Sequence, residues 1–207
     1  MEGVIATWYT KNTGRDLRRF DEAARAVSAR VAPGGRVLEV APGPGYLAVE
    51  LAKRGYQVAA VDISASFVRI VGEHAKAAGV TIDVRQGDAA ALPFDAGTFD
   101  CVVCMAAFKN FTDPMGAIDE MHRVLRPGGQ ASIYDLRKDA ARTDIEAEVR
   151  DMRLSAFNAF LTRWTFRHML LKSAYTLDQI ERMARESRFG GGTVTRNGIG
   201  FELRLTR

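Results

Sequence analysis

The stretch VLEVAPGPGYLA at residues 37–48 decides the fold. An apolar run, typical of a buried parallel strand, leads into a loop of alternating Gly and Pro, and helix-forming residues follow. The G-x-G-x-x-A spacing at 43–48 matches a dinucleotide-binding fingerprint. However, Pro42 and Pro44 remove two backbone N–H donors that a pyrophosphate would need, and Glu39 places a negative charge nearby. The loop is therefore better suited to a zwitterionic ligand that carries a positive charge.

Strand and helix signals alternate on both sides of this loop. Apolar residues at helical spacing predict helices over 16–31 and 46–54, in a segment ending about Ala78, and from about Pro114 to the RPGG stop at 126–129. Strands are predicted within 36–40, 55–64, 79–89, 98–107 and 130–137. The alternation predicts an α/β fold with a doubly wound, mostly parallel seven-stranded sheet. The dipeptide Asn197-Gly198 predicts that this sheet ends in an antiparallel hairpin.

The chain length predicts a single domain over residues 1–207. Within it we expect an N-terminal arm and helix at 1–30 and a helical lid insert at 139–175. The net charge of +4 permits an acidic partner without requiring one. No apolar run approaches the roughly 20 residues of a membrane span. The first residues also lack a signal-peptide core, so we predict a cytoplasmic protein without a membrane span.

The two cysteines stand in the apolar run FDCVVCM. Because Cys101 and Cys104 are three residues apart on a predicted strand, they should point to opposite faces of the sheet. No second cysteine pair or histidine cluster supplies further ligands. The sequence therefore predicts two core thiols and no metal site.

Three carboxylates stand at the ends of three successive predicted strands. Glu39 precedes the glycine loop, Asp62 closes the second strand, and Asp88 closes the third. Ligands of open parallel sheets bind at the carboxyl ends of the strands. A carboxylate about 20 residues past the loop is placed to accept hydrogen bonds from ribose hydroxyls. The three acids therefore predict an acidic rim around a nucleoside-shaped site.

Four motifs together resemble the Rossmann-fold S-adenosylmethionine-dependent methyltransferases. They are VLEVAPGPGYLAVELAKRG (37–55), VDIS (61–64), GDAAALPFDAGTFDCVV (87–103) and EMHRVLRPGG (120–129). The nearest likeness is to the ubiquinone- and menaquinone-biosynthesis type. It covers about residues 30–135 and the closing hairpin, and it implies S-adenosylmethionine as the cofactor.

The resemblance implies a role for each residue around the loop. Gly43 and Gly45 would line the methionine end of the cofactor, Asp62 would bind the ribose, and Glu39 would neutralise the ammonium. The remaining cofactor-binding residues that it implies are Asp88 and Ala89 at the adenine, together with Ile63, Ala41, Ala106 and Tyr9. Ala41 departs from the glycine that many family members carry, and Tyr9 belongs to an arm that often folds over the cofactor.

Methyl transfer from a sulfonium requires alignment and exclusion of water more than a fixed catalytic constellation. By the resemblance, the segment at 105–114 faces the methyl group. Its Lys109 is expected to be either a cation for an anionic acceptor or a solvated residue, and Asn110 to orient a carbonyl or hydroxyl. His168, in the lid, is the candidate general base. Arg137 is expected to hold a substrate carboxylate or to form a structural salt bridge.

Two other function classes stay open on the sequence. One is a nicotinamide-dependent oxidoreductase, which the literal fingerprint allows. The other is a non-catalytic S-adenosylmethionine-binding domain, because Lys109 and Asn110 stand where relatives often carry His. The segment NFTDP (110–114) lacks the motif of base-methylating enzymes, so we do not expect a nucleic-acid substrate. The expected acceptor is an apolar or anionic small molecule, and the sequence leaves the oligomeric state open.

Overall fold

The computed structural model describes residues 2–3, 18–151, 156–165 and 171–207. Its strands are β1 (Arg36–Val40), β2 (Gln57–Asp62), β3 (Ile82–Gln86), β4 (Phe99–Met105), β5 (Leu125–Leu136), β6 (Thr193–Asn197) and β7 (Gly200–Thr206). They form one sheet in the order β3-β2-β1-β4-β5-β7-β6. Strands β1 to β5 pair in parallel, whereas β7 runs antiparallel to both β5 and β6. The predicted mostly parallel sheet with a closing hairpin is confirmed.

Helices alternate with the strands. They are α1 (Arg18–Ser28), α2 (Tyr46–Lys53), α3 (Ala65–Ala77), α4 (Pro114–Val124), α5 (Arg142–Asp151), α6 (Ala156–Thr165) and α7 (Leu177–Glu186), and a 3₁₀ turn spans Phe108–Asn110. Side-chain caps satisfy backbone N–H groups at the start of three of them: Ser64 caps α3, Asp113 caps α4 and Thr176 caps α7. These caps fix where the chain turns from each loop into its helix.

The sheet separates two apolar cores. Helices α4 and α7 cover one face and helices α1 and α2 the other. Cys104 is buried in the first core and Cys101 in the second, and both thiols are free. The prediction of two core thiols on opposite faces is therefore confirmed.

The strand order reverses at β1, which has β2 on one side and β4 on the other. At such a switch point the loops that follow two neighbouring strands lead to opposite sides of the sheet. A crevice opens between them at the carboxyl ends of the strands. The loops after β1, β2 and β4 border this crevice. The fold thus places the glycine loop and the segment after β4 at one edge of the sheet.

The two outer strands of the sheet are polar. On β3, Asp83 and Arg85 are exposed and form an ion pair at 2.8 Å. On β6, four of five residues are exposed, namely Thr193, Thr195, Arg196 and Asn197. The apolar surface is thus concentrated in the inner strands.

Two boundaries differ from the predictions. The RPGG segment, predicted to stop a helix before a strand at 130–137, lies within β5, which begins at Leu125. The backbone of this segment is paired, because Gly128 N–H donates to the Arg207 carbonyl at 2.8 Å and Arg207 N–H donates to the Gly129 carbonyl at 3.0 Å. Strand β3 ends at Gln86, so Asp88 lies two residues beyond the strand that it was predicted to close.

The described parts of the insert contain the helices α5 and α6, whereas residues 139–141 and 171–175 are not helical. Ile145 and Val149 of α5 are buried with Leu171 and Ile199, so this helix is anchored at the tip of the closing hairpin. On α6, Phe160 is among the most exposed apolar side chains of the described residues. No helix in the described ranges has both the length and the apolar character of a membrane-spanning helix.

Candidate functional site

The glycine loop takes an unusual backbone path. Ala41, Gly43 and Gly45 all have positive φ, at 54°, 54° and 76°. Gly45 turns the chain into α2, and a Cβ at this position would lie 2.8 Å from the side chain of Val71 on α3. Glycine is required at 45 for this close approach, whereas Ala41 keeps a left-handed conformation that L side chains rarely adopt.

Asp62 joins the end of β2 to this loop. Its Oδ2 accepts a hydrogen bond from Gly43 N–H at 3.2 Å, and its Oδ1 accepts one from Ser64 N–H at 2.9 Å. Burial raises the pKa of the Asp62 carboxyl, and these two N–H groups offset part of that increase. Asp62, the residue predicted to bind the ribose, therefore lies beside the glycine loop and holds the loop backbone through Gly43 N–H.

Glu39, near the carboxyl end of β1, is a buried carboxylate with few hydrogen-bond partners. Its side chain is buried, and among the described residues its Oε2 has no hydrogen-bond partner. Burial raises the pKa of Glu39 to about 8, the nearby Asp62 adds to the increase, and the backbone N–H of Ala48 opposes it. A buried carboxylate oxygen without a partner is costly unless a donor or a cation reaches it. The site is thus suited to the ammonium group of a ligand.

Three of the predicted cofactor-binding residues follow β2 and β3: Ile63 without a predicted position on the cofactor, and Asp88 and Ala89 at the adenine. Ile63 follows Asp62 directly and is 68% exposed, although it is a large apolar side chain. Asp88 is exposed and accepts a hydrogen bond from Ala90 N–H at 3.0 Å, so its carboxylate also shapes its own turn. Ala89 is partly buried against the core. These residues offer an apolar surface beside a carboxylate.

The segment after β4 begins with a second strained alanine. Ala106 has φ 59°, and its N–H donates to the Tyr134 carbonyl at 2.7 Å. The Ala106 carbonyl in turn accepts from Lys109 Nζ at 3.2 Å. Non-glycine residues with positive φ are uncommon and occur where the surroundings enforce them. The two described alanines with this feature, Ala41 and Ala106, both follow strands at the switch point.

Lys109 is neither solvated nor an unpaired cation. Its side chain is 9% exposed, and its Nζ lies 2.9 Å from Oδ1 of Asp135, whose side chain is 1% exposed. Asp135 also accepts hydrogen bonds from the backbone N–H groups of Lys109 at 2.8 Å and Leu136 at 2.7 Å. The predicted alternative of a solvated Lys109 is therefore wrong. A catalytic role of this residue stays a prediction, and its charge is already balanced by the protein.

The remaining predicted site residues divide into two groups. Asn110 is exposed at the end of the 3₁₀ turn, next to Lys109. Tyr9 and His168 lie outside the described residues, and their predicted roles stay predictions. In the described ranges, no group of three His, Cys, Asp or Glu side chains is arranged to hold a metal ion.

Arg137 is a structural residue. Its guanidinium donates to the carbonyls of Gly198 at 3.2 Å and Asp139 at 2.8 Å, and it pairs with the carboxylate of Asp144. The side chain is buried among these partners. Of the two roles predicted for Arg137, the contacts agree with the structural salt bridge.

Sequence reasoning missed two contacts of this edge. One is the pairing of Lys109 with Asp135, which lie 26 residues apart. The other is a contact between His74 and the glycine loop, since His74 Nδ1 lies 2.8 Å from the Pro44 carbonyl oxygen. No local pattern reports either contact, because each joins two elements through single side chains.

Comparison with known proteins agrees with this arrangement. Residues 38–133 match a family model described as a methyltransferase domain. The ubiquinone biosynthesis O-methyltransferase of Xanthomonas axonopodis pv. citri (strain 306) is 36% identical over 117 residues, which are 56% of this chain and 49% of that protein. The demethylmenaquinone methyltransferase of Thermus thermophilus is 36% identical over 124 residues, 59% of this chain and 56% of that protein. The chain thus spans about half the length of the curated relatives it matches.

A solved structure gives the same fold over most of the chain. A SAM-dependent methyltransferase from Aquifex aeolicus matches with a TM-score of 0.69 at 16% identity, covering 92% of this chain and 98% of that one. The predicted resemblance is therefore confirmed. Residues 38–133 match the methyltransferase-domain family, and the chain has the class I, Rossmann-like fold of a solved S-adenosylmethionine-dependent methyltransferase.

Proposed function

We propose that this protein is an enzyme that transfers a methyl group from S-adenosylmethionine to a small-molecule acceptor. The observation that carries the proposal is the buried Oε2 of Glu39, which has no partner in the described part of the chain and lies within a matched methyltransferase domain. A ligand that brings an ammonium group to this position would remove the cost of that orphaned atom. A pyrophosphate would instead add negative charge beside Glu39 and Asp62.

We propose that the predicted site residues bind this cofactor along its whole length. Glu39 would face the ammonium, Gly43 and Gly45 would allow close backbone approach at the methionine end, and Asp62 would accept from the ribose hydroxyls. The group at the adenine would be Ile63, Asp88 and Ala89, and the further contacts are proposed for Ala41, Ala106 and Tyr9. The cofactor supplies a methyl group that its positively charged sulfur already activates.

On the acceptor side, the chain mainly has to orient the acceptor and exclude water. Asn110 is exposed and able to hydrogen-bond a carbonyl or hydroxyl. Lys109 holds the backbone beneath Asn110 through its pair with Asp135. His168 remains the proposed proton acceptor for an acceptor that arrives protonated.

The acceptor class is proposed from the named relatives together with the insert. One relative is named a ubiquinone biosynthesis O-methyltransferase and another a demethylmenaquinone methyltransferase, and the insert carries the exposed aromatic residues Phe160 and Trp164. We therefore propose an apolar, hydroxylated aromatic acceptor handled in the cytoplasm. The lid boundaries of 139–175 within a single domain of 1–207 belong to the same proposal.

The first test is calorimetric titration of the purified protein with S-adenosylmethionine, S-adenosylhomocysteine and NADH in parallel. We expect binding of the first two and none of NADH. Binding of NADH alone would overturn the proposal in favour of the oxidoreductase alternative, which the matched domain does not support. A variant Asp62→Ala is expected to lose most of the affinity while keeping its circular dichroism spectrum.

The non-catalytic alternative has one observation in its favour. Lys109, the basic residue of the segment after β4, is already paired with Asp135 and so is not available to an acceptor without breaking that pair. A turnover assay that detects S-adenosylhomocysteine with a panel of phenolic acceptors separates the two functions. Cofactor binding without turnover of any acceptor would favour the binding domain.

A further inference from the structure

His74 lies on the side of α3 that faces the glycine loop. It contacts the loop and also the first residue of α2. Its Nδ1 lies 2.8 Å from the carbonyl oxygen of Pro44, and its ring stacks on Tyr46 with centroids 5.2 Å apart and planes at 22°. Because a carbonyl only accepts, the bond requires a proton on Nδ1. Pro44 and Tyr46 flank Gly45, so His74 contacts the chain on both sides of the residue that turns it into α2.

The hydrogen bond from His74 is one of two that hold the peptide unit between Pro44 and Gly45. The carbonyl of the Pro44–Gly45 peptide accepts from His74, and its N–H donates to the Pro42 carbonyl at 3.0 Å. Rotation of this peptide would break both bonds. Val71, one turn earlier on α3, fills the space where a Cβ of residue 45 would lie. Helix α3 therefore supports the loop from behind, while Asp62 holds it from the strand end through Gly43 N–H.

We propose that His74 is a positioning residue, which holds the glycine loop in the shape that binds the methionine end of the cofactor. This inference rests on the proposed function. His74 acts through the Pro44 carbonyl and does not itself touch the ligand. The two prolines leave few backbone N–H groups for internal loop bonds, so a donor from a neighbouring helix has more effect here than in a loop rich in N–H groups.

Two variants separate the hydrogen bond from the ring contact. His74→Phe keeps an aromatic ring against Tyr46 and removes the donor, whereas His74→Asn keeps a short donor and removes the ring. The matched control is His122→Phe. His122 is on α4, which covers the face of the sheet opposite to α2, and its ring packs edge-on against Phe189 with centroids 4.9 Å apart.

The first readout is calorimetric affinity for S-adenosylhomocysteine at a temperature where every variant is folded by circular dichroism. We expect His74→Phe to bind about 5- to 10-fold more weakly, His74→Asn within about 3-fold of the wild type, and His122→Phe unchanged. Wild-type affinity in His74→Phe would overturn the inference, whereas no binding by the wild type would instead contradict the proposed function.

The second readout is independent of any ligand. Hydrogen–deuterium exchange of the free protein should be faster over 41–48 in His74→Phe than in the wild type, because the Pro44–Gly45 peptide loses one of its two bonds. His122→Phe should leave exchange in this segment unchanged. Equal exchange in the wild type and His74→Phe would overturn the inference even if no cofactor binds.

Discussion

At the scale of single residues, Glu39 links the cofactor site to pH. Burial, together with the nearby Asp62, raises its pKa in the free protein from the ordinary 4.5 to about 8. At pH 7 the free protein therefore carries Glu39 mainly in the protonated form. A ligand ammonium would favour the carboxylate and lower this pKa again. Binding of S-adenosylmethionine should then release a proton from Glu39.

The number of protons released on binding can be measured by titration calorimetry at pH 7 in two buffers that differ in ionisation enthalpy. We expect the wild type to release close to one proton on binding, and its affinity to rise with pH towards 8 by at most about tenfold per pH unit. Glu39→Gln, which has the same shape and does not titrate, should release none and bind more weakly. Equal heats in the two buffers for the wild type would contradict the prediction.

At the scale of elements, the pair of Lys109 and Asp135 fastens the 3₁₀ turn after β4 to β5. The two partners are not equivalent. Asp135 accepts from the Lys109 ammonium and from two backbone N–H groups, so its removal leaves both N–H groups without this acceptor and the ammonium with the Ala106 carbonyl alone. Removal of the lysine side chain leaves the carboxylate with both backbone donors. The cost of losing each partner should differ accordingly.

Urea denaturation of Asp135→Ala and Lys109→Ala measures this difference. We expect Asp135→Ala to lose about 3 kcal/mol of unfolding free energy and Lys109→Ala about 1–2 kcal/mol. Lys109→Ala should also reduce acceptor turnover more than cofactor affinity. Equal destabilisation by the two variants would indicate that the backbone donors contribute little.

The elements themselves were more predictable than their side-chain contacts. The alternation of strand and helix patterns correctly predicted five parallel strands, and Asn197-Gly198 correctly predicted the hairpin. Both signals are local in the sequence. The start of β5 was missed because Pro and Gly at 127–129 predict a break, while pairing with Arg207 keeps this segment in the sheet. The positive φ of Ala106 was also invisible, because alanine carries no signal for that conformation.

At the scale of the whole molecule, Arg30 connects distant parts of the chain. From the turn after α1 it donates to Ser132 at 3.1 Å and Tyr134 at 3.0 Å on β5, and to Glu202 at 3.2 Å on β7. Its side chain is 20% exposed, so water screens these bonds only in part. The first described helix is thereby attached to the part of the sheet that the C-terminal hairpin completes.

Arg30→Met tests how much this connection stabilises the fold. We expect a loss of about 2 kcal/mol, since three polar partners lose a charged donor at a mostly covered site. The control is Arg25→Met, whose side chain is 73% exposed in an i,i+4 pair with Asp21 and which should change the unfolding free energy by less than about 0.5 kcal/mol. The comparison uses chemical denaturation, and similar values for the two variants would contradict the prediction.

The polar outer strands have a consequence for self-association. An unpaired strand edge is a template on which another copy can add its own strand. The charges of Asp83 and Arg85 on β3, and the exposed polar residues of β6, make such an addition unfavourable on either side of the sheet. Concentrated solutions of the folded protein should therefore resist growth into edge-to-edge aggregates.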